Sequence, residues 1–161
     1  MMNLPFKIHF PNGEPTYFIE KILASLFEKD KITRTELVQC KFDVDVFRIT
    51  NCKHHTIKKG KRWKAGDKIH FCTGLRTKNY KRFAPIIQVK SVQDIEIKHI
   101  YNMIDISIDS KEFGWMDKEI LKATNSIVEL SQNDGLTIEQ FANWFDTDFE
   151  GQIIHWTDLR Y

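Results

Sequence analysis

Lys53 and Thr56 could supply the base and the hydroxyl of nucleophilic catalysis, although their spacing alone is unremarkable. Thr56 follows Lys53 by three positions. A lysine whose pKa is lowered by burial can act as a base toward a hydroxyl or a water molecule. No glycine-rich phosphate loop surrounds the pair. The spacing is equally compatible with a lysine that contacts phosphate and a threonine that only occupies a strand.

Cys52 is a second candidate nucleophile, because Lys53, His54 and His55 follow it and could lower the pKa of its thiol. The alternative is an unreactive thiol that is buried or half-buried. Six histidines and three cysteines also raise the question of a metal, but the sequence contains no CxxC or HExxH spacing. We therefore predict neither a metal site nor a cofactor.

Charge is distributed unevenly, with a basic segment between Lys53 and Arg82. Eleven lysines and arginines are opposed there by one acid, Asp67, which gives +10, whereas the rest of the chain carries −8. Aromatic residues are interleaved and could stack on bases, so we predict a nucleic-acid surface over a merely solvated face. For Trp63 the alternative is a hydrophobic plug over one end of the fold. The predicted binding residues are Lys58, Lys59, Lys61, Arg62, Trp63, Lys64, Arg76, Lys78, Tyr80, Lys81 and Arg82.

Length and composition indicate one globular domain. The chain has 161 residues, of which 42% are hydrophobic and 29% charged. No run of about 18 apolar residues is present, which excludes a transmembrane helix. The N-terminal segment MMNLPFKIHF has no long apolar region, so a secretory signal is not expected. Three scattered cysteines are too few for a disulfide framework, which favours a reduced, cytoplasmic protein.

Hydrophobic spacing predicts an α+β fold. Helices are predicted over Phe18–Leu26, from an N-cap at Asp117 to Leu130, and from the capping box Thr137–Gln140 to about Phe145. Residues 30–48 are ambiguous between a short helix over 33–39 and a strand from 42 onward. Strands are predicted at Lys7–Phe10, Asp67–Cys72, Pro85–Val92, Ile95–Ile97, Ile104–Ile108 and Gly151–Trp156.

The segment Lys53–Phe71, KHHTIKKGKRWKAGDKIHF, resembles the signature of ASCH domains in the PUA-like superfamily. That signature has a short helix, a lysine, Thr-Ile-Arg, a basic turn and a Gly-Asp that opens a strand. Here the helix is FIEKILASL, the Thr-Ile-Arg position reads TIK at 56–58, and a later DGL at 134–136 precedes a capped helix. Two features depart from the pattern: about 25 residues, 27–52, separate the helix from the motif, and Lys58 replaces arginine.

The resemblance implies a single domain over 1–161, with an insertion at about 27–52. Its fold would be a small PUA-like β-barrel with flanking helices and a cleft lined by the motif. The implied function is binding of RNA or a modified nucleotide. The alternative is an amidohydrolase that deacetylates a nucleoside such as acetylcytidine. The implied catalytic set is Lys53, Thr56 and an acid, which would be Asp134 or, if the alignment slips, Glu129.

Overall fold

The computed structural model describes residues 2–40 and 51–161, which form four helices and ten strands. The helices are α1 (Phe18–Glu28), α2 (Arg34–Gln39), α3 (Asn125–Asn133) and α4 (Ile138–Trp144). The strands are β1 (Met2–Pro5), β2 (His55–Lys59), β3 (Lys68–Thr73), β4 (Lys81–Arg82), β5 (Ile87–Gln88), β6 (Ser91–Ile100), β7 (Met103–Ile108), β8 (Lys111–Asp117), β9 (Lys122–Ala123) and β10 (Phe149–His155). Among the described helices, none combines the length and the apolar character needed to cross a lipid bilayer.

The larger sheet has six antiparallel strands in the order β2-β10-β6-β7-β8-β9 and curls into a half-barrel. Its inner face is apolar because alternate residues of each strand point inward. In β7, for example, Ile104, Ile106 and Ile108 are buried. Strand β10, which lies between β2 and β6, contributes Ile153 and Ile154, both fully buried. This strand fixes the position of β2, and β2 carries Thr56.

A smaller sheet is built around β3. Strand β1 pairs with β3 in parallel, and β4 and β5 pair with it antiparallel. An aromatic cluster joins this sheet to the end of β10. The centre of the Phe71 ring lies 5.2 Å from the centre of Trp156, the residue that follows β10, and 6.0 Å from the centre of the Phe6 ring. The indole of Trp156 also donates a hydrogen bond to Ser25 Oγ of α1 at 3.2 Å. The core therefore lies between the two sheets and α1.

The α+β prediction is confirmed, whereas a closed barrel is not shown. Among residues 2–40 and 51–161, no strand pairing links the two sheets, so the ladder of the larger sheet ends at β2 and at β9. The predicted strand at 7–10 was misplaced. The first strand is β1, because the pairing of Leu4 with Phe71 places Leu4 in the core.

The helix predicted to begin at Asp117 is also wrong at its start. Asp117 ends β8, and its carboxylate accepts hydrogen bonds from the backbone N–H groups of Glu119 and Ile120 in a turn. Helix α3 begins only at Asn125, after the short strand β9. The ambiguous stretch forms α2 with a capping box at Thr33, while the predicted strand from 42 lies outside the described residues.

Thr137 is the N-cap of α4 and forms the predicted capping box. Its hydroxyl accepts from the backbone N–H of Gln140, whose side chain accepts from the backbone N–H of Thr137. The box fixes the start of a short helix that packs Phe141 into the core and ends at Trp144.

We predict that Thr137→Ala lowers the free energy of unfolding by about 1 kcal/mol, because the first turn of α4 loses its cap. Asn143→Ala, on the exposed side of the same helix, is the matched control and should change the stability little. Urea denaturation followed by circular dichroism measures both. Equal stability of the two variants would contradict a stabilising cap.

Candidate functional site

A cleft of about 890 Å³ opens between the segment that follows β1, the start of β2 and the loop after β3. Its walls carry the cations Lys7, Lys53, Lys58 and Arg76. Aromatic rings also line it, from Phe6 and Phe18, which are buried, and from Trp144, which is half-buried. Within the described chain, Asp134 is the one carboxylate in this lining.

Lys53 and Asp134 form a buried ion pair at the floor of the cleft. The Lys53 ammonium donates to Asp134 Oδ1 and to the backbone oxygen of the same residue, both at 2.5 Å. Lys53 is 1% exposed and Asp134 3%. The ammonium also lies 4.5 Å from the centre of the Phe18 ring, which favours a positive charge.

Local structure brings these two residues together. Asp134 is the C-cap of α3, and Gly135 follows it with a φ of 74°, a left-handed conformation that glycine adopts at low cost. The helix end therefore turns back toward the segment before β2, where Lys53 forms a β-bridge with Asp134. Lys21 of α1 secures the turn by donating to the Gly135 oxygen at 2.6 Å.

Burial moves both members of the pair toward their neutral forms. It lowers the pKa of Lys53, against the attraction of Asp134, and raises the pKa of Asp134, against the attraction of Lys53. The backbone N–H of Ile57 also donates to the Asp134 carboxylate. A lysine in such a position can give up its proton more readily than one in water.

Thr56 lies on β2, three residues after Lys53, and lines the same cleft. It is 3% exposed and pairs with Ile154 of β10, so its backbone is rigidly placed. None of the described residues hydrogen-bonds to its hydroxyl. A hydroxyl that faces a cleft without a protein partner can bond to a ligand or attack it.

His55 and Tyr161 support the pair from behind, a role that no sequence pattern indicated. His55 Nδ1 lies 3.6 Å from Asp134 Oδ1, and His55 Nε2 lies 2.8 Å from the Tyr161 hydroxyl. Asn133 Nδ2 donates a further hydrogen bond to that hydroxyl at 3.1 Å. Burial holds the pKa of His55 well below its usual value, so the ring is neutral. Its Nδ1 is buried and makes no hydrogen bond to the described chain.

Lys58 is a second cation in the cleft. Its ammonium donates to the Pro5 backbone oxygen at 2.9 Å and lies 4.9 Å from the centre of the Phe6 ring. Burial, followed by repulsion from Lys53, lowers the pKa of Lys58 to about 8. Part of the Lys58 population is therefore neutral under mildly alkaline conditions.

The predicted binding residues are divided between the cleft and the outer surface. Lys58 and Arg76 line the cleft. Arg62 donates to the Asn3 oxygen at 3.5 Å, and Lys61 pairs with Asp94 at 2.7 Å. The residues exposed outside the cleft are Lys59, Lys61, Arg62, Lys64, Lys78, Tyr80, Lys81 and Arg82.

Two predicted residues occupy positions that do not fit their expected roles. Trp63 is 2% exposed, and its backbone N–H donates to Gln152 of β10, so its ring belongs to the core and offers no face to a base. Glu129 is exposed on α3 and does not line the cleft, whereas Asp134 contacts Lys53.

Comparison of the chain with protein-family models, with curated proteins and with solved structures finds no match. What the cleft can bind or transform is therefore inferred from its own residues.

The buried pair leads to a stability prediction. Asp134→Ala leaves the Lys53 ammonium without its counter-ion and should lower the free energy of unfolding by about 3–5 kcal/mol. The double variant Lys53→Met/Asp134→Ala should recover part of this loss, because no charge then remains buried. Asp158→Ala, which removes an exposed ion pair with Lys90, is the control and should have little effect. Chemical denaturation measures all three, and a double variant less stable than Asp134→Ala would contradict the prediction.

Proposed function

We propose that the chain is an ASCH-like, PUA-like module that binds a modified nucleotide or RNA through this cleft. The observation that carries the proposal is the composition of the cleft, which combines cations with aromatic rings. Lys7, Lys58 and Arg76 supply positive charge for a phosphate, while the one carboxylate in the described lining is already paired with Lys53. The half-buried ring of Trp144 offers a stacking surface, and Lys7 lies 5.5 Å from its centre.

The family assignment is supported by the order of the motifs in the fold. Helix α1 packs next to the Lys53–Thr56 motif, and the DGL segment at 134–136 returns to the same place through Asp134. The curled sheet is compatible with a PUA-like barrel. Since nucleotides and RNA are the proposed ligands, we expect the protein to act in the cytoplasm.

The exposed part of the basic segment extends the proposed binding surface beyond the cleft. Its lysines and arginines would contact the phosphate backbone of RNA without reading the sequence. Arg76 belongs to both regions, because it is exposed and also lines the cleft. A nucleotide held in the cleft could thus remain attached to a longer strand.

The binding proposal is tested by titrating the protein with cytidine, cytidine 5′-monophosphate and a labelled single-stranded RNA. We expect the monophosphate to bind at least about tenfold more tightly than the nucleoside, because phosphate contacts the cleft cations. RNA affinity should fall steeply with added salt. Affinity for the monophosphate should also fall as the pH rises through about 8, because Lys58 then loses its charge.

Lys58→Met is the informative variant, and Lys122→Met on β9, outside the cleft, is its matched control. Lys58→Met should remove most of the preference for the monophosphate and the pH dependence near 8, while Lys122→Met should keep both. Equal affinity for nucleoside and nucleotide in the unaltered protein would refute the proposal.

A second candidate function is hydrolysis of an amide such as the acetyl group of acetylcytidine. It is favoured by one observation, the buried Lys53–Asp134 pair in the cleft that Thr56 also lines. In this mechanism Thr56 Oγ1 attacks the amide carbonyl carbon while neutral Lys53 takes the hydroxyl proton. Lys53 returns that proton to the leaving amine as the carbon–nitrogen bond breaks. Water then hydrolyses the Thr56 ester and releases acetate.

The other residues of the cleft have supporting roles in that mechanism. Asp134 orients Lys53 and stabilises its charged form after the proton transfer. The Lys58 ammonium or a backbone N–H would stabilise the negative oxygen of the tetrahedral intermediate. Lowering of the pKa of Lys53 by burial supplies the neutral amine that the first step needs.

Cytidine release from acetylcytidine, followed by chromatography, tests the second candidate. Thr56→Val keeps the shape of the side chain but removes the hydroxyl, so turnover should be lost. Thr73→Val changes another threonine of the cleft lining and should retain most of the activity. Undiminished turnover in Thr56→Val would exclude this mechanism. If the unaltered protein binds nucleotides but releases no cytidine, binding is the function that remains.

A further inference from the structure

Three side chains with metal-ligating atoms meet outside the cleft. Glu28 from the end of α1, and Cys52 and His54 from the segment before β2, place a carboxylate oxygen, a thiol sulfur and a ring nitrogen within 4.8 Å of one another. None of the three lines the cleft. The ligands come from two distant segments, so the sequence shows no familiar metal-binding spacing.

The imidazole of His54 is held in place but has no bonding partner among the described residues. Its backbone N–H donates to the Asn133 oxygen at 2.8 Å, and its backbone oxygen accepts from Thr157 at 3.4 Å. Its Nδ1 is shielded from water and makes no hydrogen bond to the described chain. Its Nε2 lies 3.9 Å from Glu28 Oε2, too far for a hydrogen bond.

The Glu28 carboxylate is divided between two neighbours. Lys29 holds Oε1 at 3.0 Å, while Oε2 faces His54. The Cys52 thiol is hydrogen-bonded to the same carboxylate. Lys29 therefore orients the Glu28 carboxylate, as residues that do not touch the metal commonly do for a ligating carboxylate. The second oxygen, Oε2, is left to face the Cys52 sulfur and the His54 ring.

We propose that Glu28, Cys52 and His54 form a binding site for a zinc-class divalent cation. Sulfur, nitrogen and oxygen donors together match the preference of Zn²⁺, with the fourth tetrahedral position left to water. Zinc–ligand bonds of about 2.0–2.3 Å place tetrahedral donors roughly 3.4–3.8 Å apart, so closing the site needs a shift of only about 1 Å. Binding forms bonds to the sulfur, a ring nitrogen and an oxygen, and releases the thiol proton to solvent.

The position of this metal site gives it a structural consequence. Cys52 and His54 flank Lys53 in the chain, and Glu28 ends the helix whose Lys21 oxygen accepts the backbone N–H of Lys53 at 3.1 Å. A bound cation would therefore tie α1 to the residues on both sides of Lys53. The cation would stiffen the support of the cleft without touching a ligand in it.

Cobalt binding to the full-length, chelator-treated protein tests the proposal. We expect one equivalent of Co²⁺ to produce a thiolate-to-cobalt charge-transfer band and the visible bands of a tetrahedral site, both removed by Zn²⁺. Cys52→Ser should abolish the charge-transfer band. His54→Gln and Glu28→Gln should each weaken binding at least about tenfold. Cys72→Ala, which alters a cysteine outside the cluster, should leave the spectrum unchanged.

Alkylation of the cysteine thiols in the unaltered protein tests the metal site without any variant that has to fold. Zn²⁺ should slow alkylation of Cys52, located by peptide mass spectrometry, at least about tenfold relative to the chelated protein. It should leave the rate at Cys72 the same. Absence of a charge-transfer band, its persistence in folded Cys52→Ser, or equal alkylation of Cys52 with and without Zn²⁺ would each overturn the proposal.

Discussion

A buried ammonium–carboxylate pair is the interaction on which the arrangement of this molecule depends. Removing two charges from water costs several kcal/mol for each ion, so both partners need further hydrogen bonds and exact placement. Asp134 offers its carboxylate and its peptide oxygen to Lys53, and Ile57 and His55 approach the same carboxylate. The end of α3, the start of β2 and the aromatic wall of α1 are thereby held around one point.

The two sides of this pair differ sharply, and the difference gives the cleft its chemistry. Behind it, His55 and Tyr161 fill the space with rings 5.5 Å apart. On the cleft side, Lys58 is repelled by Lys53, which adds to the lowering of its pKa by burial. The pKa of Lys21, beside Gly135, is lowered by the same two causes. One carboxylate thus faces several cations. A phosphate or a developing oxyanion would relieve that imbalance, which is why both proposed functions place negative charge at the same point.

Local features of the sequence predicted the elements, but not the contacts between them. Helix α1, the Thr137 capping box and the alternation in β7 follow from neighbouring residues, and the motif resemblance pointed to Asp134. For Trp63 the sequence left a base-stacking ring and a hydrophobic plug as alternatives, and its burial, with backbone bonds to Gln152, agrees with the plug. Tyr161 contacts His55 across 106 positions, and no local pattern could indicate that contact.

The first strand, β1, borders the cleft through Pro5. Its Pro5 oxygen holds Lys58 on one wall, while Asn3 accepts hydrogen bonds from Tyr80 and Arg62. This strand pairs in parallel with β3, where Met2 lies opposite Ile69. Such long-range parallel pairing is slow to form, because the loop must close before the contacts stabilise it. Because Leu4 of the same strand is buried in the core and Pro5 holds Lys58, a chain that lacks this pairing has an incomplete core and an incomplete cleft wall at once.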